Sequence, residues 1–90
     1  MKKIIRHYTA KALKDLKSID KNTANRIVGK VKEYSEDDDF LMRAKALTGS
    51  LAGMYRYRVG DYRVLFEVDA SGVVTILMIL NIKHHKDAYR

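Results

Sequence analysis

Three arginines and a basic, histidine-bearing C-terminus are the residues of this chain best suited to chemistry. Arg56, Arg58 and Arg63 lie within the stretch Met54 to Asp69, and Lys83, His84, His85, Lys86 and Tyr89 come near the end. Guanidinium forks match the oxygens of a phosphate. A histidine exchanges a proton near neutral pH, and a tyrosine stacks on an exposed base. These types suit metal-free RNA cleavage, in which the 2′-hydroxyl of the substrate attacks its own neighbouring phosphate. The protein then has to orient the strand, move protons and offset growing charge. Sequence-tolerant binding of nucleic acid or of a protein uses the same residue types and stays open at this level.

The elements that position these groups follow from local pattern. Met54–Val59 and Tyr62–Asp69 are rich in Tyr, Val, Phe and Leu, and the Gly60-Asp61 pair between them suits a two-residue hairpin turn with glycine first. That loop fixes the register, so Val59 faces Tyr62, Arg58 faces Arg63, Tyr57 faces Val64 and Arg56 faces Leu65. Alternation then places Tyr55, Tyr57, Val59, Tyr62, Val64, Phe66 and Val68 on a core face. The other face carries Met54, Arg56, Arg58, Arg63, Leu65 and Glu67. Two arginines directly opposite one another repel. Either solvent screens them, as it does many exposed charges, or an anion belongs between them.

Ninety residues make one domain, 1–90, with a real but modest core. There is no cysteine and no proline, so neither a disulfide framework nor a thiolate metal site is available. No apolar run is long enough to span a membrane, and the opening residues do not form a signal peptide. A cytoplasmic protein without membrane contact is expected. Eighteen Lys and Arg against eleven Asp and Glu give +7, which favours nucleic acid, an anionic surface or an acidic protein partner. Residues 1–34 hold ten basic and three acidic side chains and carry the whole excess.

In chain order, Lys3–Tyr8 reads as a short strand and Thr9 as a helix cap. Ala12, Leu13, Leu16 and Ile19 recur at helical spacing, and after a second cap at Asp20 so do Ala24, Ile27, Val28, Val31 and Tyr34. Helices over 9–19 and 21–35 therefore form a tight helical hairpin. The acidic run Glu36–Asp39 is a solvated loop, since it lacks the glycine and ligand spacing of a calcium loop. Phe40, Leu41, Ala44 and Leu47 suggest a helical turn or a segment laid over the core. Val73–Ile82 is almost wholly apolar and reads as a central strand covered on both faces for much of its length. The order β-α-α-β-β-β with a short C-terminal helical turn predicts an α+β fold. Its sheet is expected to be four-stranded and mainly antiparallel, with the helices on the tyrosine-rich face. The C-terminal residues would then be delivered to the arginine face. Nothing in the spacing indicates a metal or a cofactor.

Tyr55-Arg56-Tyr57-Arg58-Val59-Gly60-Asp61-Tyr62-Arg63, followed after one more strand by His84-His85-Lys86-Asp87-Ala88-Tyr89, resembles the RelE/ParE toxin superfamily. Its pattern is a Tyr-[Arg/Lys]-x-[Arg/Lys]-x-Gly-x-Tyr-Arg hairpin and a closing His-Arg-x-x-x-Tyr. The size, the element order and the Leu47-Thr48-Gly49 loop agree with it as well. The resemblance implies a toxin of a type II toxin–antitoxin pair, RelE-like in fold, with a cognate acidic antitoxin as partner. RelE-like members cleave mRNA in the ribosomal A site, which makes ribosome and mRNA further partners. It implies a catalytic set of Arg56, Arg58, Arg63, Lys83, His85 and Tyr89, with Tyr89 stacking on a nucleotide. Where the pattern has its C-terminal arginine this chain has His85, which would act as acid or base while Lys83 supplies the cation. ParE-like members of the same fold instead poison DNA gyrase. A toxin fold that has lost its nuclease and only binds antitoxin is the remaining alternative.

Overall fold

The computed structural model describes residues 3–36, 40–71 and 74–88. Strand β1 (Lys3–Tyr8) leads to helices α1 (Ala10–Lys17) and α2 (Lys21–Ser35), then to β2 (Ala44–Ala46), a 3₁₀ turn at Gly49–Leu51, and β3 (Met54–Val59). Strands β4 (Tyr62–Ser71) and β5 (Val74–His84) follow, and a single turn of helix, α3 (His85–Ala88), comes last. The strands form one sheet in the order β1-β5-β4-β3-β2.

Both main helices start where a side-chain oxygen meets a free amide. Thr9 Oγ1 accepts from the Ala12 N–H at 3.2 Å, and Asp20 Oδ2 accepts from the Thr23 N–H at 3.0 Å. That bond holds the Asp20 carboxyl below its ordinary range. Helix α1 is also tied to β5. The Thr9 N–H donates to the Ile79 carbonyl, the Thr9 hydroxyl to the Leu80 carbonyl, and Asp15 Oδ2 accepts the Ile82 N–H at 3.0 Å.

Beneath the helices, Ala12, Ile27 and Val31 pack on the buried side chains Tyr57, Val59, Val64, Phe66, Leu77, Ile79 and Ile82. The expected helix-covered face is this one. Tyr57 is its centre, with ring centroids 4.4 Å from Phe66 and 5.4 Å from Tyr34. Its hydroxyl donates to the Phe40 carbonyl at 2.6 Å, which pins the segment after α2. Burial pushes the Tyr57 hydroxyl up to about 12.

The β3–β4 register is the expected one at every pair, from Met54 opposite Glu67 to Val59 opposite Tyr62. Gly60 has φ +58, as the first position of a glycine-led hairpin turn requires. Elsewhere the sheet differs from expectation. It has five strands rather than four, and it is mixed, because β1 runs parallel to β5. The added strand comes from the stretch read as a helical turn or a segment laid over the core: Ala44–Ala46 pairs antiparallel with β3. Three residues with no β-branched side chain carry almost no strand signal, and edge pairing to a preformed β3 decides the matter. Helix α1 is also shorter than 9–19, since the Ser18 N–H closes its last turn. Strand β5 is covered on one face only. Thr75, Leu77, Ile79 and Ile82 are buried, whereas Ile76, Met78 and Leu80 are partly exposed on the other side. Of the acidic loop expected at Glu36–Asp39, residues 37–39 fall outside the described residues, and of the turn expected at Ala70–Gly72, Gly72 does, whereas Ala70 and Ser71 are the last residues of β4, paired with Thr75 and Val74.

Candidate functional site

Because side chains alternate, the face away from the helices collects the charges. Arg58 on β3 is opposite Arg63 on β4, which is opposite Lys83 on β5. A second row runs beside it, from Lys45 on β2 through Arg56 and Leu65 to Asn81. Neighbouring strands are about 5 Å apart and rows about 7 Å apart, so these cations share one field. Lys83 reaches this row because β5 continues to His84, two residues beyond the strand expected from the apolar run.

The three arginines are not equivalent. Arg58 is exposed and Arg56 half-buried, but Arg63 retains only 8 % of its surface. Its Nη1 donates to the Gly60 carbonyl at 3.1 Å and to the Tyr62 carbonyl at 3.0 Å. Its Nη2 lies 3.2 Å from His85 Nδ1. The opposition of Arg58 and Arg63 is thus relieved by turning one guanidinium toward the hairpin carbonyls. A guanidinium has five N–H donors, so Arg63 keeps two for the cavities it lines.

The two histidines separate. His84 pairs with Tyr62 on the helix side of the sheet, where the rings meet edge-on at 5.2 Å, and its Nδ1 accepts the Lys86 N–H. His85 opens α3, and its N–H donates to the Asp61 carbonyl at 2.6 Å, docking the C-terminal turn on the hairpin turn. In the tautomer that accepts from Arg63 at Nδ1, His85 carries its proton on Nε2. Tyr89 lies outside the described residues.

Two concavities flank Arg56 and Arg63. One, of about 490 Å³, lies between the 3₁₀ segment and the end of β5 and is lined by Leu47, Leu51, Leu65, Asn81 and Lys83 among others. The second, of about 280 Å³, includes Arg43, Lys45 and Arg58. Among the described residues, no acidic side chain lines either. Among the described residues, no three His, Asp or Glu side chains converge as a metal-ligand set.

The structure therefore brings Arg56, Arg58, Arg63, Lys83 and His85 into one neighbourhood. It adds Lys45 and Asn81, which sequence reading missed. Lys45 was hidden because β2 has too little pattern to be read as a strand. Asn81 was hidden inside an apolar run whose alternation is visible only after pairing.

This arrangement of a basic hairpin, an adjoining β5 end and a helical hairpin behind defines a class of small toxins. The chain belongs to the family of ParE toxins of type II toxin–antitoxin systems, whose model matches residues 7–89. The toxin–antitoxin complex RelBE2 of Mycobacterium tuberculosis contains a chain with 28 % identity and a TM-score of 0.63, over 89 % of this chain and 95 % of that one. The YoeB/ParE toxin of Agrobacterium tumefaciens has 20 % identity and a TM-score of 0.68, over 92 % and 98 %. A chain of the archaeal RelE–RelB complex of Pyrococcus horikoshii OT3 has 23 % identity and a TM-score of 0.66, over 97 % and 99 %. No curated protein matches this chain by sequence.

Proposed function

We propose that this toxin is a metal-independent endoribonuclease that cuts mRNA on the ribosome and so blocks translation. The observation that carries this reading is the cation row Arg58–Arg63–Lys83, in register across three adjacent strands with Arg56 and Lys45 one row away. Such a row suits a phosphodiester that gains charge as it passes through a five-coordinate phosphorus. The 2′-hydroxyl oxygen bonds to phosphorus, the bond from phosphorus to the 5′-oxygen breaks, and a cyclic phosphate and a 5′-hydroxyl result. Arg56, Arg58 and Lys83 hold the phosphate oxygens, and Arg63 orients His85 while reaching the same phosphate. With Nδ1 engaged by Arg63, neutral His85 offers Nε2–H as a hydrogen bond to the leaving 5′-oxygen as it gains charge, while solvent takes the 2′-hydroxyl proton and supplies the proton that completes the 5′-hydroxyl. An arginine holds its proton too tightly to serve as base. Tyr89 keeps the stacking role that the family pattern implies. The partner that restrains the toxin is an acidic antitoxin, consistent with the chain's charge of +7 and with a segment that orders on binding.

The test is reconstituted translation with primer extension on the message. Purified protein arrests translation and leaves cuts at the A site, and Arg58→Ala removes them. Translational arrest with intact message refutes the nuclease. A second reading, inhibition of DNA gyrase, is favoured by the match to the ParE family model itself. Loss of supercoiling activity by gyrase with translation unaffected selects it.

A further inference from the structure

The open face of the sheet is cationic at one end only. Strand β4 keeps Arg63, Leu65, Glu67 and Asp69 on that face, because the alternate residues Val64 and Phe66 are buried under the helices. The cation row is thus at one end and two exposed carboxylates are at the other, roughly 20 Å from Arg63 to Asp69 along the strand. Glu67 stands between Met54 and Met78 in the register, and Asp69 beside Ile76, which pairs in turn with Ile5. Ile5 leaves 40 % of its surface open, so this end of the face is apolar as well as acidic. Among the described residues, Glu67 and Asp69 make no ion pair or hydrogen bond, and neither do Arg58 and Lys83. A face ordered in this way is complementary to itself when turned end for end. A two-fold axis lying across the strands at the level of residue 66 sets Asp69 of one copy over Arg63 of the other, with Arg58 and Lys83 on either side. Leu65 then comes over Glu67, between Met54 and Met78 of the second copy. Stacked sheets are about 10 Å apart, a gap that an aspartate and a lysine or arginine span from opposite sides. An acidic partner is repelled by the carboxylate end. A second copy satisfies both ends at once, and that decides the occupant.

We propose that this face is the contact of a symmetric homodimer, in which Asp69 of each copy occupies the place of phosphate in the cation row of the other and holds the toxin inactive. The inhibition rests on the ribonuclease reading; the dimer does not. The carboxylate also relieves the repulsion among Arg58, Arg63 and Lys83, so the same charges that attract RNA hold the resting pair together.

Sedimentation equilibrium of the purified toxin reads the dimer directly. The wild-type mass rises from one chain to two with concentration, and Asp69→Lys, which sets a fourth cation over the row, stays at one chain. The double variant Arg58→Glu, Lys83→Glu stays at one chain too. Mixed in equal amounts, the two variants form a dimer again, because each row now meets a residue 69 of opposite sign. A dimer undiminished in Asp69→Lys, or two folded variants that fail to recombine, overturns the interface. A wild-type mass of one chain at every concentration up to about 1 mM overturns it as well, and leaves the acidic end to a basic partner protein. A 2′-O-methylated RNA, which cannot be cleaved, returns the wild-type dimer to single chains; a dimer that binds it whole overturns the placement of Asp69 on the row. These masses need no cleavage, so failure of the nuclease leaves them standing. In reconstituted translation, cleavage per chain falls as the wild type is concentrated through its dimer range and does not fall for Asp69→Lys. A rate per chain that is constant for both overturns the inhibition.

Discussion

The two faces of the sheet are built from the same strands and answer to different physics. The helix-side face is set by apolar alternation and closes over Tyr57, Phe66, Leu77 and Ile79, all fully buried. The open face is set by what that alternation leaves over, and there like charges stand side by side at a cost in stability. Fold and site are therefore separable by mutation nearly everywhere. The exception is Arg63, which belongs to the open face yet is buried and bonded into the hairpin turn.

That separation can be broken or sharpened in order of effect. Phe66→Ala, beneath the helices, removes a fully buried ring and lowers unfolding stability by about 3–5 kcal/mol in urea titration. Its activity, measured on the folded fraction, is retained. Alkaline titration probes the same face through Tyr57. Its folded value of about 12 exceeds the unfolded value of about 10, so the folded state binds the extra proton between them. Stability is full below pH 10 and falls as pH rises toward 12, by about 2 kcal/mol. Tyr57→Phe flattens this slope in denaturant melts taken at stepped pH. Arg63→Ala comes next, leaving two hairpin carbonyls without their donor and costing about 1–3 kcal/mol. It is expected to lose activity as well, and Arg63→Lys restores neither fully because an ammonium lacks the fork. At the small end, Arg58→Ala and Lys83→Ala change stability by about 0.5 kcal/mol or less. Each reduces the salt dependence of RNA binding by about one ion. A stability loss like that of Arg63→Ala at either position would erase the distinction between the faces.

The parts legible in sequence were those with local causes. The hairpin register followed from a two-residue loop, and the span of α2 from spacing and the Asp20 cap. The parts that were not legible depend on pairing between distant segments. Nothing near Lys3–Tyr8 states that it will run parallel to β5, because strand direction is set by connections that include both helices and three strands. Ala44-Lys45-Ala46 becomes a strand only because β3 offers an edge. The site was legible in residue type but not in geometry. Arg56, Arg58, Arg63, Lys83 and His85 were named, whereas the turning of Arg63 toward Gly60 and Tyr62 needed the folded hairpin. Lys45 and Asn81 needed the whole sheet.

Two contacts described with the fold bear on the free side of β5 beyond its pairing with β1. Past Ile79, β5 has no strand neighbour on the β1 side, since β1 ends at Tyr8. An uncovered run of backbone there would be a template for strand addition by another chain. Helix α1 fills the place instead, with Thr9 and Asp15 taking up the Leu80 carbonyl and the Ile82 N–H. The strand that carries Lys83 and leads into His85 thus runs against a helix, and two of its backbone groups, the Leu80 carbonyl and the Ile82 N–H, are taken up before another molecule can use them.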